Sequence, residues 1–323
     1  MRGIAVGVAV LFVALPIFAG PKRSARWRAD RSAVTLTAVE ISRDPAFAAQ
    51  LMNQVRAAHP AAVINNSSSR SFVIPAAGSV HGAGNTFFRS DITLVNWNAT
   101  PQDVAVMWLP SGGTAITYRT TFPGDRPPFT SQDFVGTVLN QSGLGALVFL
   151  PITSTGAADP NGAIDGFSRI WTPQPNVAGT VSQPFNAVDP NHLKGQYEAF
   201  ILGLRQDASY RTNFGIVNLY STPLKFVMTV FPESAPPGTQ LAEFSLTIPA
   251  MSMVQQGLGS GPYSSPVNLA VNVDEDVPNH AQIWTAYASS TDNITGDGWV
   301  SIATKDFADE DLDSLGRHKK KDQ

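Results

Sequence analysis

Beyond residue 70 the chain is a succession of short apolar runs, many of them alternating with polar positions, broken at close intervals by Gly, Pro, Asn, Ser and Thr. A period of two bounded by such residues predicts β-strands joined by tight turns. Residues 34–41 begin the pattern, with Val34, Leu36 and Ala38 alternating against Thr35, Thr37 and Val39, and predict a strand. A helix follows: Asp44 can cap it, Pro45 suits its first turn, Phe47, Leu51 and Val55 fall on one face, and Pro60 stops it. Residues 61–70, with Asn65, Asn66 and a run of serines, read as a loop. One short helical insertion is predicted among the strands at residues 133–139, with Ser131 or Asp133 as its cap and Gly143 beyond its end.

An internal repeat organises the strands. Residues 88–101 align without a gap on residues 210–223, and the match runs on to Pro110 and Pro232. Ile92, Leu94 and Val95 correspond to Phe214, Ile216 and Val217, residue types that suit a buried strand. Asn96 and Asn218 stand where that strand must end, and an Asn side chain can bond its own backbone two residues on and start a turn. Thr100-Pro101 and Thr222-Pro223 reopen the chain in extended form. The following runs, Val104, Val106 and Trp108 against Phe226, Met228 and Val230, predict a second strand, so that each copy is most simply a hairpin. Weaker matches pair Ile170-Trp171-Thr172 with Ile283-Trp284-Thr285, and the closing runs 181–188 with 299–304. The fold expected is all-β, with two tandem β-sandwich units at residues 71–188 and 189–305.

The ends change the setting. Arg2 precedes an uncharged apolar run over residues 4–19 that closes on small residues, the pattern of a secretory signal cleaved after Ala19. The alternative is an uncleaved anchor, although the run falls short of the ~20 apolar residues that a spanning helix needs. Residues 20–70 then form a basic linker and the N-terminal helix, and residues 306–323, acidic and then basic, read as a charged disordered tail in which Lys319, Lys320 and Lys321 are a candidate docking run. The expected location is secreted, periplasmic or at the cell surface, with membrane contact only through an uncleaved signal. The chain of 323 residues has no cysteine, so packed cores alone must hold it together. Its formal charge of −3, with basic residues gathered at the two ends, argues against nucleic acid as a partner.

The runs Phe88-Arg89-Ser90-Asp91 to Asn96, Tyr210-Arg211-Thr212-Asn213 to Asn218, and Ser168-Arg169-Ile170-Trp171 resemble a group of uncharacterised bacterial secreted proteins with tandem Ig-like β-sandwich units. The resemblance covers most of the chain after residue 70. It implies the fold and an extracytoplasmic setting and transfers no catalytic residue.

Chemistry is sparse. No serine lies between glycines as in a nucleophile elbow, and Gly257-Leu258-Gly259-Ser260-Gly261 reads as a turn. His59, His81, His192, His280 and His318 are scattered singly, without zincin spacing. The Gly-rich stretch 78–84 has no phosphate-loop ending. Calcium ligands are conceivable at Asp159, Asn161 and Asp165, at Asp274, Glu275 and Asp276, and at Asp292, Asn293 and Asp297, but none has EF-hand spacing and ordinary Asx turns explain them. Trp97, Trp108 and Trp299 are candidates to stack on sugar rings, whereas Trp171 and Trp284 read as equivalent core residues. Arg89 and Arg211 are each expected to pair with the residue two positions on, Asp91 or Asn213. No catalytic, cofactor or metal residue is assigned. The function expected is a secreted, noncatalytic binding or structural module that recognises a protein or glycan. The alternative is an extracytoplasmic carbohydrate-active enzyme, or its accessory glycan-binding domain, with two carboxylates across a cleft.

Overall fold

The computed structural model describes residues 36–58, 71–82, 86–124, 128–174, 178–234, 239–261, 263–264 and 266–305. The expected signal at 1–19, the linker up to residue 35, Pro60, the loop 61–70 and the tail 306–323 lie outside the described residues. The chain is dominated by antiparallel β-sheet.

The first half holds β1 (Val39–Ser42), α1 (Pro45–Ala58), β2 (Phe72–His81), β3 (Phe87–Asn96), β4 (Gln102–Pro110), β5 (Ile116–Phe122), β6 (Phe129–Ser131), α2 (Phe134–Thr137), β7 (Gly143–Ile152), β8 (Ile164–Pro173) and β9 (Thr180–Asn186). The second half holds β10 (Glu198–Leu204), β11 (Tyr210–Asn218), β12 (Leu224–Pro232), β13 (Ala242–Ile248), β14 (Ser252–Gly257), β15 (Val267–Val273), β16 (Trp284–Asp292), β17 (Gly298–Ile302) and β18 (Thr304–Lys305).

The two halves repeat the same pairing. Strands β5-β4-β7-β2 correspond to β13-β12-β15-β10, and β6-β3-β8-β9 to β14-β11-β16-β17. In the second half these are separate sheets, packed face to face: Phe226 of β12 meets Trp284 of β16 at 5.4 Å between ring centroids, and Phe214 of β11 stacks on Phe244 of β13 at 5.6 Å. In the first half the ten-residue β2 pairs β7 along most of its length and β3 from Ser79 onward, which joins both groups into one nine-stranded sheet. Pro75, which has no N–H to give a ladder, falls where the β2–β7 register shifts between Ile74 and Ala77.

Within the repeat, strand, turn and strand lie where the alignment puts them, and Ile92 and Leu94 are buried as Phe214 and Ile216 are. The hairpin is corrected. β3 pairs β2, β6 and β8, while β4 pairs β5 and β7, and β11 and β12 likewise have no ladder in common. The connection is an arch, from one sheet to the other in the second half and between the two strand groups of the joined sheet in the first. Local sequence reads the same for both connections, since each needs only a strand, a turn and a strand. The asparagine stabilises the arch. Asn218 Oδ1 accepts from Tyr220 N at 2.9 Å, and its Nδ2 donates to Thr222 O, Ile248 O and Pro249 O at 2.9, 3.1 and 3.0 Å. Asn96 does the same with Asn98 N, Thr100 O, Phe122 O and Pro123 O, its two longer bonds reaching 3.3 and 3.4 Å.

Three further expectations are corrected. Asn96 stands opposite Ile164 and Asn218 opposite Trp284, so the equivalent of the fully buried Trp284 is Ile164, and Trp171 sits seven residues further along its strand, only partly buried and level with Arg89. The helix α1 is capped as expected, Ala46 N donating to Asp44 Oδ1 at 2.9 Å, but its buried face is Ala48, Leu51, Met52 and Val55, with Phe47 36% exposed. The first strand begins at Val39 instead of residue 34, although Leu36 is buried. The short helix α2 is capped by Asp133, whose side chain accepts from Gly136 N.

The halves share a core. Val217, Leu219, Met251, Met253, Ile283 and Tyr287 of the second half are buried among the apolar residues of the first. Six such side chains are together worth on the order of 10 kcal/mol of burial. Gly112 N donates to Met253 O at 2.9 Å and Ser252 Oγ to Gly113 O at 3.1 Å across the same junction.

The arch makes an unequal prediction for its two copies. Asn218 is fully buried and Asn96 only partly, so Asn218→Ala, which strands carbonyls in the dry interior, should lower unfolding stability by about 2–3 kcal/mol and Asn96→Ala by about 1 kcal/mol. Urea unfolding checks the order, and equal losses would defeat it.

Candidate functional site

Strand alternation sends Arg211, Asn213, Gly215 and Val217 of β11 to one face of their sheet, level with Thr291, Ser289, Tyr287 and Thr285 of β16. This face is turned toward the first half. Part of it is sealed against the shared core, and the rest walls a cleft of about 530 Å3. The opposite wall comes from the ends of β2, β3, β8 and β9, including Val80, His81, Phe88, Ile170, Gln183 and Phe185.

Tyr287 forms the deep end. It is fully buried, its ring edge-on to Phe185 at 5.2 Å, its hydroxyl donating to Gln255 Oε1. Burial pushes its phenol well above the usual tyrosine range. Its place depends on Gly215, since a Cβ there would lie 2.3 Å from the Tyr287 ring. Gln183 of β9 spans the halves, accepting from Ser289 Oγ at 2.6 Å and donating to Thr291 Oγ1 at 3.2 Å. Near the mouth, Arg211 Nη1 donates to Asn293 Oδ1 at 2.8 Å.

The cleft is therefore lined by amides and hydroxyls over an aromatic floor, with Arg211 as a cation. Asp292 is the one carboxylate among its described lining residues. Asp292 Oδ1 accepts from Ile294 N at 2.7 Å and Thr295 N at 2.9 Å, and these backbone bonds hold its carboxyl below the usual range. Such an arrangement presents hydrogen-bond donors and acceptors of the kind that complement neutral polar groups. Among the described lining residues no second carboxylate stands opposite Asp292 to make a hydrolytic pair.

The sequence candidates are dispersed. Arg89 and Arg211 occupy equivalent strand positions, but neither pairs as expected: Arg89 stacks over Phe87 and Trp171, Asp91 accepts from Trp171 Nε1 at 2.7 Å, and Arg211 holds Asn293. The pairings fail because residues two apart on a strand are further from each other than from the facing strand. Trp108 is core, and Trp299 donates to Gly203 O at 2.9 Å, which leaves Trp97, 58% exposed, as the open tryptophan of the three. His81 borders the cleft, His192 contacts Ala303 O at 2.8 Å, His280 lies edge-on to Tyr197, and His59 and His318 lie outside the described residues. Of the Gly-rich stretch, Gly78 and Gly82 line the cleft, and Gly259 lies at φ +73° beside a bend at Ser260.

Carboxylates in each of the three Asp-rich turns have protein partners. Asp159 accepts from Asn161 N and Gln102 Nε2, Asp165 from Gly166 N, and Asp297 from Gly298 N, and Asp274 pairs with Lys225 at 2.5 Å. Among the described residues no three His, Asp or Glu side chains converge as a metal set. The residues missed in the sequence are Gln183, Gln255, Ser289 and Thr291. They come from β9, β14 and β16, and no local motif marks them.

No protein-family model matches the chain, and no curated protein matches it significantly.

Two measurements probe this site. Gly215→Ala should destabilise by about 1–3 kcal/mol through overpacking against the Tyr287 ring, and Tyr287→Ala should remove most of that added penalty in a double-mutant cycle; additive losses would show that the ring is not what the glycine makes room for. Because its folded pKa is depressed, Asp292 contributes its stabilisation above the unfolded carboxylate pKa of about 4 and loses it as pH falls through the lower folded value. The amide resonances of Ile294 and Thr295 should accordingly stay fixed at neutral pH and shift only below about pH 4; movement near pH 6 would contradict this.

Proposed function

We propose that this protein is an exported, noncatalytic recognition module built from two tandem Ig-like β-sandwich units, and that its ligand seat is the cleft between them. The apolar leader at residues 4–19 and the likeness to secreted bacterial proteins with tandem Ig-like units support export and this description of the units. No helix among the described residues is long and apolar enough to cross a membrane.

The observation that carries the reading is the chemistry of the cleft walls. Amides and hydroxyls from both halves, with an aromatic floor and one cation, suit a neutral polar ligand such as the end of a glycan chain. The single carboxylate is engaged by its own loop, which supports recognition over hydrolysis.

Titration with a panel of neutral oligosaccharides, followed by amide chemical shifts, tests it. Saturable shifts should localise to β11, β14 and β16, and Asn213→Ala or Arg211→Ala should weaken binding about tenfold, the scale of one lost polar contact. Shortened sugar products in the sample would transfer the protein to the enzymatic reading, and no shifts at millimolar sugar would remove the cleft as the seat.

A further inference from the structure

The face that β11 and β16 turn toward the first half has an equivalent on the first half, and there it is exposed. Register places Val95 where Val217 lies, Phe167 where Tyr287 lies, and Trp97 one step further where Leu219 lies. Val217, Leu219 and Tyr287 are buried, whereas Trp97 is 58% and Phe167 48% exposed. Trp97 N donates to Ala163 O at 2.8 Å, which continues the β3–β8 register and keeps Trp97 in the outward series. Opposite Phe167 stands Thr93, where the second half has Gly215, so the first-half strand offers no bare backbone on which the ring could lie.

Further along the same face, cations stack on aromatics. The Arg89 guanidinium lies over Phe87 at 4.8 Å and over Trp171 at 5.5 Å, and Arg169 lies over Trp171 at 5.6 Å. Stacking lays the guanidinium groups on the rings, and a guanidinium held in this way can grip a carboxylate through its remaining N–H groups. The carboxylate of Asp91 is held by the indole of Trp171 at 2.7 Å and lies 4.0 Å from Arg169, so two cations face one committed anion. Trp97 stands level with Ala163, so Trp97, Phe167 and Trp171 mark four-residue steps along the two-stranded ribbon, roughly 13 Å apart at the strand rise, and the row spans roughly 26 Å.

From this we infer that the outer face of the β3–β8 ribbon is a second binding site, separate from the cleft, for a linear polysaccharide that carries carboxylate groups. Aromatic rings at even intervals offer flat apolar platforms to successive sugar rings, and the guanidinium edges supply the complement to uronate charge. The length of the row suits a polymer better than a small molecule. A linear peptide is disfavoured because β3 and β8 are both paired on each side, which leaves no open strand edge for it to extend.

Affinity electrophoresis of the full chain in gels containing polygalacturonate tests the site. The protein should be retarded, more strongly at low salt, and Trp97→Ala and Phe167→Ala should each weaken retention about tenfold without lowering the melting temperature, since both side chains are exposed. Arg169→Gln should remove most of the salt dependence. Leu202→Ala, 52% exposed on a sheet of the other half, should change nothing. Equal retardation by dextran would overturn the charge requirement, and equal competition by polyglutamate would overturn the sugar. Absence of retardation, or aromatic variants that behave as wild type, would overturn the site itself.

Discussion

Where the chain crosses from one group of strands to the facing one, the backbone carbonyls beside the crossing lack a ladder partner. One asparagine in each half resolves this. Its carbonyl oxygen shapes the turn, and its amide group takes three backbone oxygens at once, two of them at the end of β5 or β13. No other side chain of that size offers both an acceptor and two donors. The arch is thereby locked to the end of β5 or β13, and the alternation of every residue in the two joined strands follows from where the arch is pinned.

With that alternation set, the halves diverge by what covers their outer faces. On β11 and β16 the outward series ends in apolar residues that the first half buries, and its polar members meet β9 across the cleft. On β3 and β8 the same series stays open and carries tryptophan, phenylalanine and stacked arginine. A second asymmetry lies on the opposite sheet. In the first half α1 buries Leu51, Met52 and Val55 into the shared core, whereas the corresponding sheet of the second half exposes Leu202. One backbone plan thus supports two surfaces of different chemistry.

What could be read in the sequence follows the range of the interactions. The Asn and its flanking strands were legible because their alternation and turn chemistry are local, and two copies in one register reinforced each other. Whether the turn led to a hairpin or an arch was not, because that depends on which strands lie alongside. Trp171 and Trp284 were aligned by their matching neighbours, Ile and Thr, whereas the ladder matches Trp284 to Ile164. The helix face shifted from Phe47 to Met52 because an apolar stripe wider than one row can roll over the sheet. The cleft was invisible for a simpler reason: Gln183, Gln255 and Ser289 meet only after both halves have folded.

Each half is also closed by its own ends. Val73 and Val188 exchange backbone hydrogen bonds of 2.8 and 2.9 Å, and in the second half Phe200 and Ala199 pair with Thr304 and Lys305. These partners lie more than a hundred residues apart, so the contacts that seal each half are among the most distant in sequence that it makes. Loop-closure entropy must be met before such pairings reward it. Each half should therefore acquire its seal late in folding, after its inner ladders have formed, and a chain interrupted before Val188 or Thr304 would present the open edge of β2 or β10 to whatever strand it meets first.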